Sequence, residues 1–172
     1  LALAGLRPIV LERGQDALTR RRAVETFWAT GKLDPHCNVQ FGEGGAGTFS
    51  DGKLNTGVND PRIHWILEQF VAAGADGSIL YDAKPHIGTD VLLTVVQSLR
   101  RRILSLGGEV RFGAQVTGFS QCDSQLTGLT VCENGRTYEL PCRRTILAIG
   151  HSARDTFETL LQAGVPMEPK PF

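Results

Sequence analysis

The pattern of apolar and polar positions changes several times along the 172 residues, and each change predicts an element. Residues 1–5 read as the last turn of a helix, with Gly5 as its stop. Residues 6–12 read as a strand that ends on the acidic Glu12. Residues 16–30 read as a helix, with Asp16 as N-cap, Gly31 as stop and one inward stripe through Val24, Phe27 and Trp28 at i, i+3, i+4 spacing. A second amphipathic helix covers residues 61–73, opened by Asp60 and by Pro61 at its first position. A third starts from a cap at Thr89 or Asp90 and runs to about Leu106. Its inner face is Val91, Leu92, Val95, Val96, Leu99, Ile103 and Leu106, and Gly107-Gly108 ends it.

Residues 109–119 then alternate as a strand, which is the pattern of a helix returning to a parallel sheet. Beyond residue 115 the period shortens, and strands are expected over residues 116–121, 126–133, 137–140 and 145–149. Asn134-Gly135 marks a two-residue hairpin, because both residues tolerate the positive φ of a type I′ turn. Gly150 closes the last strand and residues 154–163 read as a final helix. No internal repeat or low-complexity linker interrupts the series.

Residues 33–60 fit no period and read mostly as loop, longer than a compact domain keeps without a function. Within it Gly42, Gly44, Gly45 and Gly47 are followed by Thr48, Ser50 and Asn55. Such a loop has unobstructed main-chain N–H groups that can turn together onto an anion such as a phosphate. Glycine clusters also make plain turns, so this loop alone leaves ligand binding and a structural turn both open. The strand that ends in an acid, as the second strand of a dinucleotide-binding fold does at the adenosine ribose, adds to the ligand reading and points to FAD.

Residues 38–54, Asn38-Val39-Gln40-Phe41-Gly42-Glu43-Gly44-Gly45-Ala46-Gly47-Thr48-Phe49-Ser50-Asp51-Gly52-Lys53-Leu54, resemble a signature of bacterial FAD-dependent dehydrogenases of the glutathione-reductase-like flavoprotein superfamily. The resemblance extends through residues 84–90, Lys84-Pro85-His86-Ile87-Gly88-Thr89-Asp90, and residues 147–155, Leu147-Ala148-Ile149-Gly150-His151-Ser152-Ala153-Arg154-Asp155. It implies a three-layer, Rossmann-like α/β domain with a three-stranded meander inserted before a last parallel strand. The first strand and the G-x-G-x-x-G turn that open such domains are absent from this sequence, so residues 1–172 are expected to be a partial FAD/NAD(P)-binding domain, an internal piece of a longer chain. In that superfamily the first strand lies between the second and the last parallel strands. This piece alone is therefore expected to close the gap directly, to self-associate through open strand edges, or to be poorly stable, and to hold FAD weakly.

The resemblance also assigns roles. Glu12 would accept hydrogen bonds from the ribose hydroxyls, which disfavours a 2′-phosphate there, and Arg13 would cover the adenine. Gly44, Gly45, Ala46 and Gly47 would bring main chain to the pyrophosphate and ribityl chain, with Ser50 and Asp51 hydrogen-bonding nearby. Val116 would meet the adenine through its backbone, and Gly150 would bring main chain near the flavin. Lys53 is read either as a surface lysine or as the cation that stabilises anionic reduced flavin during hydride uptake. His86 and His151 are read either as local hydrogen-bonding residues or as acid–base groups near the flavin. The reaction class is oxidoreduction, hydride transfer through flavin N5, with NADH or NADPH as reductant and a small-molecule substrate that the sequence does not identify. A flavoprotein of RNA modification and a catalytically inert scaffold of the same fold are the alternatives.

Eighteen basic and 18 acidic residues give a net charge of zero, which argues against nucleic acid or anionic membrane as partner. The runs Arg20 to Arg22 and Arg100 to Arg102 spread around a helix and are read as solvated faces. No apolar stretch reaches the ~20 residues of a membrane helix and no signal peptide is visible, so a cytoplasmic setting is expected. Cys37, Cys122, Cys132 and Cys142 lack C-x-x-C spacing and are expected to be small, mostly buried thiols, neither zinc ligands nor a redox pair.

Overall fold

The computed structural model describes residues 1–50, 52–54 and 56–169. These form two compact units, Leu1–Phe112 and Gly113–Phe172. The fold is mixed α/β, with a parallel sheet in the first unit and an antiparallel sheet in the second.

The first unit opens with a short 3-10 turn, Ala2–Ala4, stopped by Gly5 at φ 77°. Strand β1, Ile9–Glu12, follows and pairs in parallel with β2, Glu109–Phe112, with Ile9 opposite Glu109 and Glu12 opposite Phe112. Between the two strands in sequence lie α1 (Ala17–Thr30), α2 (Arg62–Ala72) and α3 (Thr89–Ser105). The Asp16 carboxylate caps α1 by accepting from the N–H groups of Leu18 (3.1 Å) and Thr19 (3.4 Å), and Gly31 ends the helix at φ 72°. Helix α3 starts from Gly88, so Thr89 and Asp90 are first-turn residues and not the cap. Asp90 still faces the positive end of the helix, where its charge is favourable. The apolar core joins Leu67 of α2, Ile79, Ile87, and Leu92 and Val95 of α3, with Phe70, Val96 and Leu99 packed against it. Val91 and Leu106 are exposed and Leu93 is buried, so the inner face of α3 is rotated slightly from the expected one.

Two expectations for α1 are corrected. Trp28 is 64% exposed although it continues the stripe of Ala17, Arg20 and Val24, because the burial of that stripe stops before the last turn of the helix. Arg20, read as solvated, is 0% exposed. The same applies in part to Arg100, whose side chain is 21% exposed and pairs with Glu43 at 3.2 Å.

The second unit is a meander, β3 (Ala114–Cys122), β4 (Gln125–Glu133) and β5 (Arg136–Pro141), in that spatial order, followed by α4 (Arg154–Gln162). The β4–β5 connection is the expected Asn134-Gly135 turn, with φ of 49° and 82°. Leu129, Val131 and Ala114 form the buried side of the sheet with Leu160 of α4. Gln115 and Gln121 of β3 tie that helix down, donating to the Asp155 carboxylate at 3.1 Å and to the Ala163 carbonyl at 3.3 Å.

The strand expected over residues 109–119 is instead two, broken at Gly113 with φ 64°; β2 joins the parallel pair and β3 the meander. Residues 145–149 form no strand, and Ile146 is 73% exposed. A parallel strand has no independent existence; it needs a neighbour's hydrogen bonds, and among the described residues none pairs with this segment. Among the described residues the parallel sheet of the first unit has two strands, β1 and β2. Of the thiols, Cys37 is buried, Cys132 and Cys142 are half-buried, and Cys122 is exposed, which corrects the expectation of mostly buried cysteines.

Candidate functional site

Strand β1 ends beside the glycine loop through a contact that only glycines allow: a Cβ on Gly14 would lie 2.5 Å from the Gly42 Cα. This approach brings Glu12 and the loop to one cavity of 390 Å³. Its apolar walls come from the sheet (Val10, Val110, Phe112) and from α3 (Val96, Leu99, Ile103). Its polar margin is Glu12, Glu43, Arg100 and Lys53, with main chain of Gly44 and Gly47. Glu12 and Gly44, 32 residues apart in the chain, thus line the same cavity.

Each polar group has a defined anchor. The Glu12 carboxylate accepts from the Gly14 N–H at 2.7 Å through one oxygen, and a carboxylate has further lone pairs to offer. Arg13 donates from Nε to His36 Nδ1 at 3.0 Å and lies 5.8 Å from the Phe41 ring centroid. Glu43 is buried, accepts from the Ala17 N–H at 2.7 Å at the start of α1, and pairs with Arg100 of α3. Burial pushes the Glu43 carboxyl above its ordinary value, and the Ala17 N–H and the Arg100 charge act against that rise. The Arg100 guanidinium also lies 5.3 Å from the centroid of Phe112 on β2.

The glycine loop is held by Arg20. Its guanidinium donates to the main-chain oxygens of Asn38 (2.8 Å), Val39 (3.1 Å), Gly42 (3.2 Å), Glu43 (2.8 Å) and Gly45 (2.8 Å), and it faces the Phe49 ring at 4.7 Å. Burial lowers the Arg20 pKa, an effect that the nearby Glu12 charge offsets in part, and the group stays charged near neutral pH. Sequence reasoning missed Arg20 because arginine is usually exposed. The available signal was a basic residue on the same helical stripe as Ala17 and Val24, with a long glycine loop to supply acceptors.

Gly44 has φ 89°, and a Cβ there would collide with the Thr48 hydroxyl, which is buried without a hydrogen-bond partner among the described residues. Gly45 stands at φ 68°, ψ −174°, a region that side chains other than glycine's hardly enter. Ala46 and Gly47 lie in the 3-10 turn Ala46–Phe49, and the Ser50 N–H closes back on Gly47 O at 3.4 Å. Asp51 lies outside the described residues.

Lys53 and His86 are directly opposed in an isolated antiparallel bridge, flanked by the Leu54 N–H donating to Pro85 O and the Ile87 N–H donating to Gly52 O, each at 2.9 Å. Residues paired between such flanking bonds project on one side with their side chains close together. Two candidates read separately from the sequence therefore adjoin, and Lys53 of the pair lines the cavity. Val116 and Gly150 belong to the second unit: Val116 pairs with Val131 on the outer strand β3, beside a register shift, and Gly150 is at φ 71° in the exposed segment before α4. His151 is exposed in the same segment.

The described fold has a counterpart in THI4 of Thermovibrio ammonificans, with a TM-score of 0.56 at 13% identity, covering 96% of this chain and 56% of that one. The likeness shows the fold. A structure of BexE, from work on oxidation during BE-7585A biosynthesis, aligns with a TM-score of 0.35 at 19% identity over 83% of this chain and 26% of that one. In sequence, the chain is 46% identical to an uncharacterised protein of Clostridium beijerinckii over 172 residues, which are 100% of this chain and 32% of that protein. The chain therefore spans about a third of the length of the curated relative it matches. No protein-family model matches the sequence. Among the described residues no helix is long and apolar enough to cross a membrane, and no group of His, Cys, Asp and Glu is placed to hold a metal ion.

Proposed function

We propose that this chain is the FAD-binding segment of a longer flavin-dependent oxidoreductase. The observation that carries the reading is that Glu12, Gly44, Gly47 and Lys53 line one cavity, since an acid at a strand end and a glycine loop are the two parts that a dinucleotide site needs side by side. The donor set fits the group. Glu12 would hold the ribose hydroxyls, Arg13 would lie over the adenine, and the main chain from Gly44 to Gly47 with Ser50 and Asp51 would hold the pyrophosphate and ribityl chain.

Bound flavin would supply hydride transfer at N5, with NADH or NADPH as reductant. The part of this chain is position and charge. Lys53 would place a cation beside the site where negative charge develops, and the apolar walls from Val10, Val110 and Leu99 would keep water from it. The fold likeness to THI4 supports a flavoprotein-like domain, and the zero net charge favours a small-molecule substrate over RNA.

The test is flavin analysis of the purified full-length protein. A yellow chromophore identified as FAD, bleached by NADH or NADPH, is the expected result. Colourless protein that takes up no added FAD would overturn the reading, and FAD that no reductant bleaches would leave the inert scaffold. Retention of tRNA by the same protein would favour the RNA-modifying alternative.

A further inference from the structure

We propose that Arg20 is the positioning residue of the anion-binding loop, turning the N–H groups of Gly44 and Ala46 outward for the diphosphate of the dinucleotide. The inference rests on the FAD reading and adds to it a residue that touches no ligand. In a planar trans peptide, the carbonyl of one residue and the N–H of the next point in opposite directions. Arg20 draws the carbonyls of Gly42, Glu43 and Gly45 to one guanidinium. The N–H groups of Glu43, Gly44 and Ala46 must therefore point away from it. The Glu43 N–H does so, donating to Gln15 O at 3.1 Å. Those of Gly44 and Ala46 have no acceptor among the described residues. The Gly45 N–H between them turns back to Gly42 O at 3.1 Å, so the two outward N–H groups flank it and can meet an anion as a pair of donors.

The five acceptors of Arg20 are all main-chain oxygens, so this buried cation organises backbone direction and does not neutralise a carboxylate. Only a planar fork with five N–H donors can hold five oxygens at once; an ammonium carries three donors on one atom. The Phe49 ring lies 4.7 Å from the guanidinium, and a Cβ on Gly42 would lie 2.5 Å from Arg20 Cδ, so both the head and the stem of the side chain are closely packed. Removing the fork frees the carbonyls to rotate, and the N–H groups rotate with them.

The experiment compares full-length wild type with Arg20→Lys, titrating each with FAD and with riboflavin, which carries the isoalloxazine and ribityl groups but no phosphate. For a folded variant the expected result is FAD affinity lowered on the order of tenfold, the scale of losing charge-assisted hydrogen bonds. Riboflavin, which meets the loop through its ribityl chain alone, loses less affinity than FAD. Equal FAD affinity in the two proteins, or a parallel loss for both ligands, overturns the proposal. Amide hydrogen exchange of the wild type decides the matter if the variant does not fold: FAD should protect the Gly44 and Ala46 amides more strongly than riboflavin does and leave that of Glu43 unchanged. Absence of that protection in a wild type that binds FAD also overturns the proposal. A wild type that binds no FAD removes the FAD reading itself, and this inference with it.

Discussion

The Glu43 carboxylate accepts from the Ala17 N–H at 2.7 Å and pairs with Arg100 at 3.2 Å, so one loop residue joins the start of α1 to the middle of α3. An acid at this place satisfies an N–H that the first turn of a helix leaves without an intrahelical partner, and it meets the positive end of the helix dipole. Its position beside Gly44 means that the loop is anchored by a charge on one side and by the Arg20 fork on the other.

Glu43 predicts a pH effect. Burial raises its folded-state pKa above the ordinary 4.5, so in the window from about pH 4.5 up to that raised value the folded state holds the proton more tightly than the unfolded chain. Its contribution to stability therefore falls as pH rises through that window. Melting temperatures of wild type and Glu43→Gln between pH 4 and 7 should diverge, the wild type losing ground to the variant as pH rises. Parallel curves would show that Glu43 titrates normally.

Glu12→Ala should weaken FAD binding by at least about tenfold, since each lost ribose bond to a charged acceptor is worth on the order of 1.5 to 3 kcal/mol before water compensates. The variant also loses the Gly14 N–H partner, a net hydrogen bond worth about 1 kcal/mol of stability. Flavin titration and denaturant melts on the same preparation separate the two effects. Unchanged FAD retention would remove Glu12 from the site.

Gly45→Val should abolish flavin binding in protein that still folds. A Cβ at Gly45 meets no protein atom within 4 Å, so the cost in the folded chain is backbone strain of about 1 to 3 kcal/mol, while the branched side chain stands where a ligand would approach. Gly44→Ala should act the other way, costing stability first through its collision with Thr48. Folded Gly45→Val that keeps flavin would make the loop a structural turn.

Thiol labelling should be ordered. Cys122 is exposed and Cys37 is 3% exposed, with burial raising the Cys37 pKa and keeping the thiolate scarce. Native protein should lose Cys122 to a thiol reagent at neutral pH well before Cys37, which should react only at the rate of unfolding. Equal rates at the two positions would contradict the burial.

The polypeptide of 172 residues should self-associate. Strand β1 pairs with β2 on one side, and among the described residues nothing pairs with its other edge, which leaves backbone N–H and C=O groups open. Sedimentation across a concentration series checks this; a monomer at all concentrations would mean that the edge is protected.

Helix α1, with Asp16 at its start and Gly31 at its end, was legible in the sequence, as was the Asn134-Gly135 turn, because caps and two-residue turns are fixed by the chemistry of neighbouring residues. The glycine loop and the strand-end Glu12 were legible for the same reason. Only the tertiary structure decided that Arg20 is buried, that Arg100 pairs with Glu43, and that Lys53 stands opposite His86. It also decided that residues 109–119 divide at Gly113 and that residues 145–149 stay outside any sheet. The physical reason is common to these cases. Whether a charged side chain can leave water, or an extended segment become a strand, depends on acceptors and donors brought from elsewhere in the chain. Local sequence states the need for such partners, and the folded structure supplies them.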